Sequence, residues 1–151
     1  MTTSIVRFIN IIIAALLAGV SFGIWIGFNP LKLSPSTYIE QQQNMLRALK
    51  VLMISLVFFA AIITISSAFL QKNNKSAFIS LLVAAVFFIA CILITRFGIK
   101  PIDDKVMTWT VNSIPGDWTE LRDKWWLLHK LRTFAELIAL FLVTWTSIKR
   151  D

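Results

Sequence analysis

Residues 118–145 read WTELRDKWWLLHKLRTFAELIALFLVTW, and they change from a charged, aromatic segment into an apolar one. No glycine or proline interrupts them, so the sequence predicts one continuous helix that begins near Asp117 and ends near Ile148. A helix needs about 20 residues to cross the hydrocarbon core of a membrane, and counting back from Ile148 places that span at residues 128–148. The outer part of the helix is therefore expected to project beyond the bilayer.

Three further apolar runs, at residues 8–28, 51–70 and 77–95, have the length of membrane spans. The chain of 151 residues is 57% hydrophobic, which is too apolar for a soluble domain of this size. We therefore predict an all-α membrane protein in which residues 1–151 form a single domain, an up-and-down four-helix transmembrane bundle.

The connections between the spans differ greatly in length. The second and third spans are joined by QKNNKS at 71–76, whereas the other two connections, 29–50 and 96–127, are long and must emerge at the same end of an up-and-down bundle. Thr37 and Glu40 have the spacing of a capping box, so the second helix is predicted to begin near Thr37. The second and fourth helices then extend beyond the bilayer on one side, and residues 96–117, which include Pro101 and Trp109, are predicted to be a loop with a short helical piece.

The distribution of lysine and arginine bears on the orientation in the membrane. A raw count favours the end with the long connections as cytoplasmic, but the charges at the other end, such as Lys72 and Lys75, lie in very short segments beside the spans, where they influence orientation most. We expect an inner-membrane protein of a bacterium with both termini in the cytoplasm.

Gly19, Gly23 and Gly27 recur at four-residue spacing in the first span. Small residues in such a row let another helix approach closely in lipid. We favour packing within the chain, with a homo-oligomer contact through this glycine face as the alternative.

Cys91 is the only cysteine and His129 the only histidine. An internal disulfide, a bis-histidine haem and a Cys/His zinc site are thereby excluded, and we predict no metal site. The net charge of +7 does not indicate nucleic acid, because no soluble module carries it; basic residues beside spans meet the lipid bilayer instead.

A polar stripe runs along the last helix. At 100° per residue, six side chains fall within an arc of about 80°: Trp118, Arg122, Trp125, His129, Arg132 and Glu136. An interfacial belt of tryptophan and arginine explains the outer members but not Glu136, which lies about 10 Å deeper than His129. An unpaired ionisable group there costs about 3 kcal/mol or more, so Glu136 is predicted to face the interior and to pair with Arg132 or another polar group.

The outer part of the second helix offers two polar faces, and periodicity alone does not say which looks inward. One face contains Arg47 and the other contains Gln42. Both residues are candidates for contact with a ligand.

The array on the last helix, preceded by Pro101 and Trp109, resembles the anthrone oxygenase-like family of four-span membrane proteins. The matching residues are Trp118, Leu121, Arg122, Trp125, His129, Arg132 and Thr133, and LSPSTYIEQQQ in the first connection is also similar. Where the family often has Asn-x-Pro-x-Asn, this chain has Ile99, Lys100, Pro101, Ile102 and Asp103.

The resemblance implies oxidation of a lipophilic aromatic compound, such as an anthrone, with oxygen and without a metal or flavin cofactor. It carries catalytic roles to His129, Arg122 and Arg132, with His129 as the general base and an arginine beside the developing oxyanion. The candidate substrate-binding residues are Trp118, Trp125, Trp109, Gln42, Arg47 and Glu136.

Two other functions compete with this one. The same aromatic and basic surface suits a non-enzymatic protein that binds a lipid or a quinone-like molecule, or an accessory subunit of a membrane complex. A transporter is least favoured, because the sequence shows no broken helix and no inverted repeat.

Overall fold

The computed structural model describes residues 2–148, and all regular structure in that range is helical. The elements are α1 (Thr2–Gly27), a 3-10 turn (Pro30–Lys32), α2 (Pro35–Leu70), α3 (Lys75–Leu93), a π-helical segment (Ile94–Ile99), α4 (Lys100–Val106) and α5 (Trp118–Ile148). Four stretches are long and apolar enough to cross a membrane: Thr2–Lys32, Pro35–Leu70, Lys75–Val106 and Trp118–Ile148. The predicted all-α, four-helix membrane architecture is confirmed.

The helices form a ring in which α1 and α3 each pack against both α2 and α5. Neighbours run antiparallel: along α1 and α2, Asn10 meets Thr64 at one end, and Phe28 stacks on Tyr38 at the other. The prediction of an up-and-down bundle agrees with this arrangement.

Helix α2 begins earlier than the capping-box spacing predicts. Ser34 is the N-cap, its Oγ accepts a hydrogen bond from the Thr37 N–H at 3.4 Å, and Pro35 occupies the first turn. The helix has 36 residues, or about 54 Å at 1.5 Å per residue. Because a hydrocarbon core is about 30 Å thick, α2 extends beyond it, as does the 31-residue α5.

The third helix is longer than predicted, and the expected loop at 96–117 is shortened to 107–117. Proline has no N–H and its ring clashes with the carbonyl four residues before it, so Pro101 interrupts regular α-helical bonding. The chain accommodates Pro101 with the π-helical turn, in which the Lys100 N–H donates to the Thr95 carbonyl, five residues back. The helix therefore continues through Pro101 into α4.

The interior of the bundle has two parts. An apolar core of small and branched residues, among them Ala14, Ala60 and Leu81, fills the end where α2 joins α3. At the opposite end an aromatic cluster contains Tyr38, Trp109 and the Trp125–Trp126 pair. The functional candidates lie at the aromatic end.

The prediction that the glycine row packs within the chain is wrong. A methyl group added at Gly19, Gly23 or Gly27 would meet no atom within 4 Å, because these residues lie on the outer face of α1. Ala14, Leu17 and Ala18 make the inward face instead. The homo-oligomer contact stays a prediction.

Candidate functional site

A cavity enters the bundle between α2 and the helices opposite it. The space not filled by protein atoms, including the open solvent at its mouth, is about 750 Å³. The lining residues come from α1, α2, the π-helical segment, α4 and α5: Leu17, Ile24, Met45, Leu46, Leu49, Lys50, Met53, Ile54, Val57, Thr95, Ile99, Lys100, Asp103, Trp125, His129, Arg132 and Glu136.

The two long walls of this cavity differ in chemistry. Helix α2 supplies an apolar wall that runs from Met45 to Val57. The opposite wall carries the ionisable groups of α4 and α5. Lys50 and Ile54 are exposed and Lys100 is partly exposed, so the mouth lies between α2 and the start of α4.

Arg132 is the centre of the polar wall. Its guanidinium donates to Thr95 Oγ1 at 3.4 Å and to His129 Nδ1 at 3.3 Å, and its Nε lies 3.5 Å from Glu136 Oε1. The side chain is only 10% exposed. One buried cation thus connects the π-helical segment, His129 and Glu136.

The contacts of His129 determine which ring nitrogen carries its proton. An arginine side chain has no acceptor and stays protonated, so His129 Nδ1 must accept the Arg132 hydrogen bond. The proton then lies on Nε2, which donates to the Ser21 carbonyl of α1 at 3.2 Å. The ring is fully buried, and both of its nitrogens have partners within the protein.

A parallel stack of aromatic rings holds His129 on α5. Its ring lies 5.2 Å from that of Trp125 and 5.7 Å from that of Trp126, with interplanar angles of 1° and 10°. Both tryptophans are buried. The stack restricts rotation of the histidine and gives the cavity a flat aromatic border at Trp125.

Asp103 joins the polar wall from α4. Its Oδ1 accepts a 2.8 Å hydrogen bond from Trp125 Nε1, and the buried Gln42 side chain lies beside it. Thr95, Ile99 and Asp103 all line the cavity, so the π-helical turn and α4 present one face to it. π-helical turns inside α-helices are frequent at functional sites.

Glu136 lies in the interior, as predicted. Its side chain is 1% exposed, and its pairing with Arg132 four residues earlier is the predicted ion pair. The hydroxyl-bearing Ser21 of α1 is a further neighbour. Neither carboxylate oxygen accepts a hydrogen bond within ordinary limits, so the 3.5 Å ion pair is its main stabilising contact.

Five predicted site residues do not line the cavity: Arg122, Trp118, Trp109, Arg47 and Gln42. Arg122 pairs with Asp123 at 2.8 Å and lies over the Trp118 ring, toward the outer end of α5. Trp109 is buried in the aromatic cluster, where its carbonyl accepts from Gln43 Nε2. Arg47 is exposed and donates to Gln43 Oε1 at 3.3 Å.

The structure thus brings His129, Arg132, Trp125 and Glu136 together in the cavity wall and leaves the other predicted residues outside the lining. Of the two faces of α2, the one with Tyr38 and Gln42 looks inward, although Gln41 of that face is exposed.

Sequence reasoning missed Asp103, Thr95 and Ser21. The signal for Asp103 was present, because an acidic residue two positions after Pro101 occupies a place where the family often has asparagine. Thr95 and Ser21 carry no such signal, since one threonine and one serine in apolar spans usually bond their own helix. Within residues 2–148, no three His, Cys, Asp or Glu side chains are grouped closely enough to bind a metal ion.

The fold and the site define a four-helix membrane protein with a buried, ionisable cavity beside an aromatic stack. The chain belongs to the anthrone oxygenase family, whose model matches residues 40–142, and the resemblance seen in the sequence is confirmed. The matched region contains all the ionisable residues that line the cavity. Comparison with curated proteins and with solved structures found no match.

Proposed function

We propose that this protein oxidises a lipophilic aromatic compound of the anthrone type with molecular oxygen in the cavity around Arg132. The observation that carries the proposal is the contrast between the two cavity walls. The apolar wall from Met45 to Val57 suits a ring system, and the opposite wall supplies a fixed cation and two carboxyl groups.

The cavity offers a side chain for charge stabilisation and one for ring binding in this reaction. An anthrone has an acidic C–H between two aromatic rings, and the carbanion formed from it reacts directly with oxygen. Arg132 is placed to stabilise the enolate oxygen, and its own contacts with Thr95 and His129 hold it in position before the charge develops. The flat surface of Trp125 suits a planar ring.

Oxygen consumption by the purified protein in mild detergent tests this proposal. With anthrone as substrate, we expect uptake well above the rate of spontaneous autoxidation in the same detergent, with anthraquinone as the product. Uptake equal to the detergent blank across a panel of anthrones and hydroquinones would contradict it. The non-enzymatic alternative, binding of a lipid or quinone-like molecule, would then be favoured.

We also propose that the protein resides in the inner membrane of a bacterium with both termini in the cytoplasm. The support is the placement of Lys72 in the short turn between α2 and α3 and of Lys75 at the start of α3, where basic residues favour the cytoplasmic side. A fluorescent protein fused to the C-terminus should fold and fluoresce in that orientation. An alkaline phosphatase fusion that is active at the same position would contradict it.

A further inference from the structure

The hydrogen bonds of His129 leave it without a free basic atom. Nδ1 accepts from Arg132 at 3.3 Å, and Nε2–H donates to the Ser21 carbonyl at 3.2 Å. To accept a proton from a substrate, Nδ1 would first have to lose its arginine partner. The imidazolium so formed would then lie beside a second positive charge in a buried place.

The two carboxyl groups of the cavity differ in their suitability as a base. Glu136 is fully buried and paired with Arg132. Asp103 is only partly buried and lies on the cavity wall in the element that forms one side of the mouth. A base must lie within reach of the substrate, and Asp103 is the carboxyl group nearer the mouth through which a substrate would enter.

The environment of Asp103 also holds it ready to accept a proton. The Trp125 N–H occupies one lone pair of Oδ1 at 2.8 Å and fixes the carboxylate against the aromatic border. A carboxylate offers about four lone-pair positions, so it can accept a substrate proton while keeping this hydrogen bond. Its neighbour Asp104 is exposed and ion-paired with Lys100, so Asp104 is not a competitor.

We propose that Asp103, rather than His129, removes the proton from the substrate, and that His129 is a positioning residue that holds Arg132. This inference rests on the proposed function and names the base of that reaction. Position 103 is an aspartate where the family often has asparagine, and the proposal gives this difference a chemical role.

The reaction begins with proton transfer to Asp103 and ends with anthraquinone and water. The Asp103 carboxylate takes the proton, and the C–H electron pair becomes the enolate, whose oxygen faces Arg132. The enolate transfers one electron to O2, and the two radicals combine to form a carbon–oxygen bond and, with the proton from Asp103, a hydroperoxide. The regenerated Asp103 carboxylate removes the second C–H proton, whose electron pair forms the new C=O bond as the O–O bond breaks. The departing hydroxide takes up that proton, so that one anthrone and one O2 give one anthraquinone and one water.

Anaerobic hydrogen exchange isolates the proton-transfer step from the oxygen chemistry. Anthrone would be incubated in deuterated water without oxygen, and its deuterium content followed by mass spectrometry. Four proteins would be compared: wild type, Asp103→Asn, His129→Gln and the control Asp104→Asn. Asparagine keeps an acceptor for the Trp125 N–H, and glutamine keeps an acceptor and a donor without a basic nitrogen. Binding of anthraquinone to each variant would report whether the cavity is intact.

For Asp103→Asn we expect exchange to fall by about 10² to 10⁴, the usual contribution of a general base, with anthraquinone binding retained. His129→Gln should remain within about tenfold of wild type, and Asp104→Asn should match wild type. His129→Leu should lose much more than His129→Gln, because leucine cannot hold Arg132.

Exchange by Asp103→Asn at the wild-type rate, or a loss confined to both histidine variants, would overturn the assignment while leaving the proposed function in place. If the wild-type protein neither exchanges the C–H nor consumes oxygen, the proposed function fails and the assignment fails with it.

Discussion

Two pairs of buried polar residues in this bundle differ in charge, in contact distance and in whether they line the cavity. Near the end where α2 joins α3, Thr64 Oγ1 donates to Asn10 Oδ1 at 2.8 Å, and both residues are fully buried. Toward the other end, Arg132 and Glu136 approach only to 3.5 Å. The first pair is neutral and absent from the cavity lining, whereas the second is ionisable and lines the cavity.

The difference distinguishes a contact that stabilises the fold from residues that form a ligand site. A single neutral hydrogen bond between membrane helices contributes little and needs no space around it. A buried ion pair at 3.5 Å is expensive to desolvate, and a protein that only needed stability could replace it with apolar residues. Arg132 and Glu136 are therefore better explained by what the cavity binds than by what the fold requires.

Replacing Arg132 should have the largest effect. Arg132→Leu leaves Glu136 buried without its cation, so we expect a loss of about 3–5 kcal/mol in the free energy of unfolding and loss of oxygen uptake. Thermal unfolding in detergent and an oxygen electrode measure the two. The double variant Arg132→Leu/Glu136→Leu should regain most of the stability but none of the turnover. A single variant as stable as wild type would show that the ion pair matters less than we claim.

Filling the cavity should weaken ligand binding without touching the polar wall. Leu49→Trp places a larger ring on the apolar wall, and we expect the Kd for anthraquinone to rise at least about tenfold, or about 1.4 kcal/mol. Leu52→Trp makes the same change on the exposed side of α2 and is the matched control. Equal Kd values for the two variants would mean that the ligand binds elsewhere.

Breaking the hydrogen bond between Thr64 and Asn10 should have little effect on stability or activity. Thr64→Val removes the hydroxyl that bonds Asn10, and such interhelical hydrogen bonds contribute about 0.6 kcal/mol on average. The free energy of unfolding should change by about that amount, and oxygen uptake should not change. A large loss of activity would contradict the division between the two ends of the bundle.

The sequence predicted the fold well because length and apolarity alone determine where helices cross a membrane. It also predicted the inward face of α5, since an ionisable residue as deep as Glu136 is costly anywhere else. It failed where a local departure redirected the chain: Pro101 produced a π-helical turn, which continued the helix and carried Asp103 into the cavity. Periodicity assumes a regular helix and cannot anticipate that change.

A substitution in the glycine row should have the smallest effect on the stability of the monomer. Gly23→Leu points into open space, so the free energy of unfolding of the monomer should change by no more than about 0.5 kcal/mol. Ala18→Leu, on the buried face of the same helix, should cost about 1–3 kcal/mol by overpacking. If a second copy binds at this face, chemical cross-linking of Gly23→Leu will yield less dimer than wild type. An unchanged yield would contradict the predicted homo-oligomer contact.

An experimental structure of the protein with anthraquinone tests the central claim most directly, because the product binds without turning over. We predict that the ring system lies between Trp125 and the apolar wall of α2, with one quinone oxygen beside the Arg132 guanidinium and the other end toward Asp103. Anthraquinone bound only on the lipid-facing surface, with the cavity filled by the protein's own side chains, would contradict it.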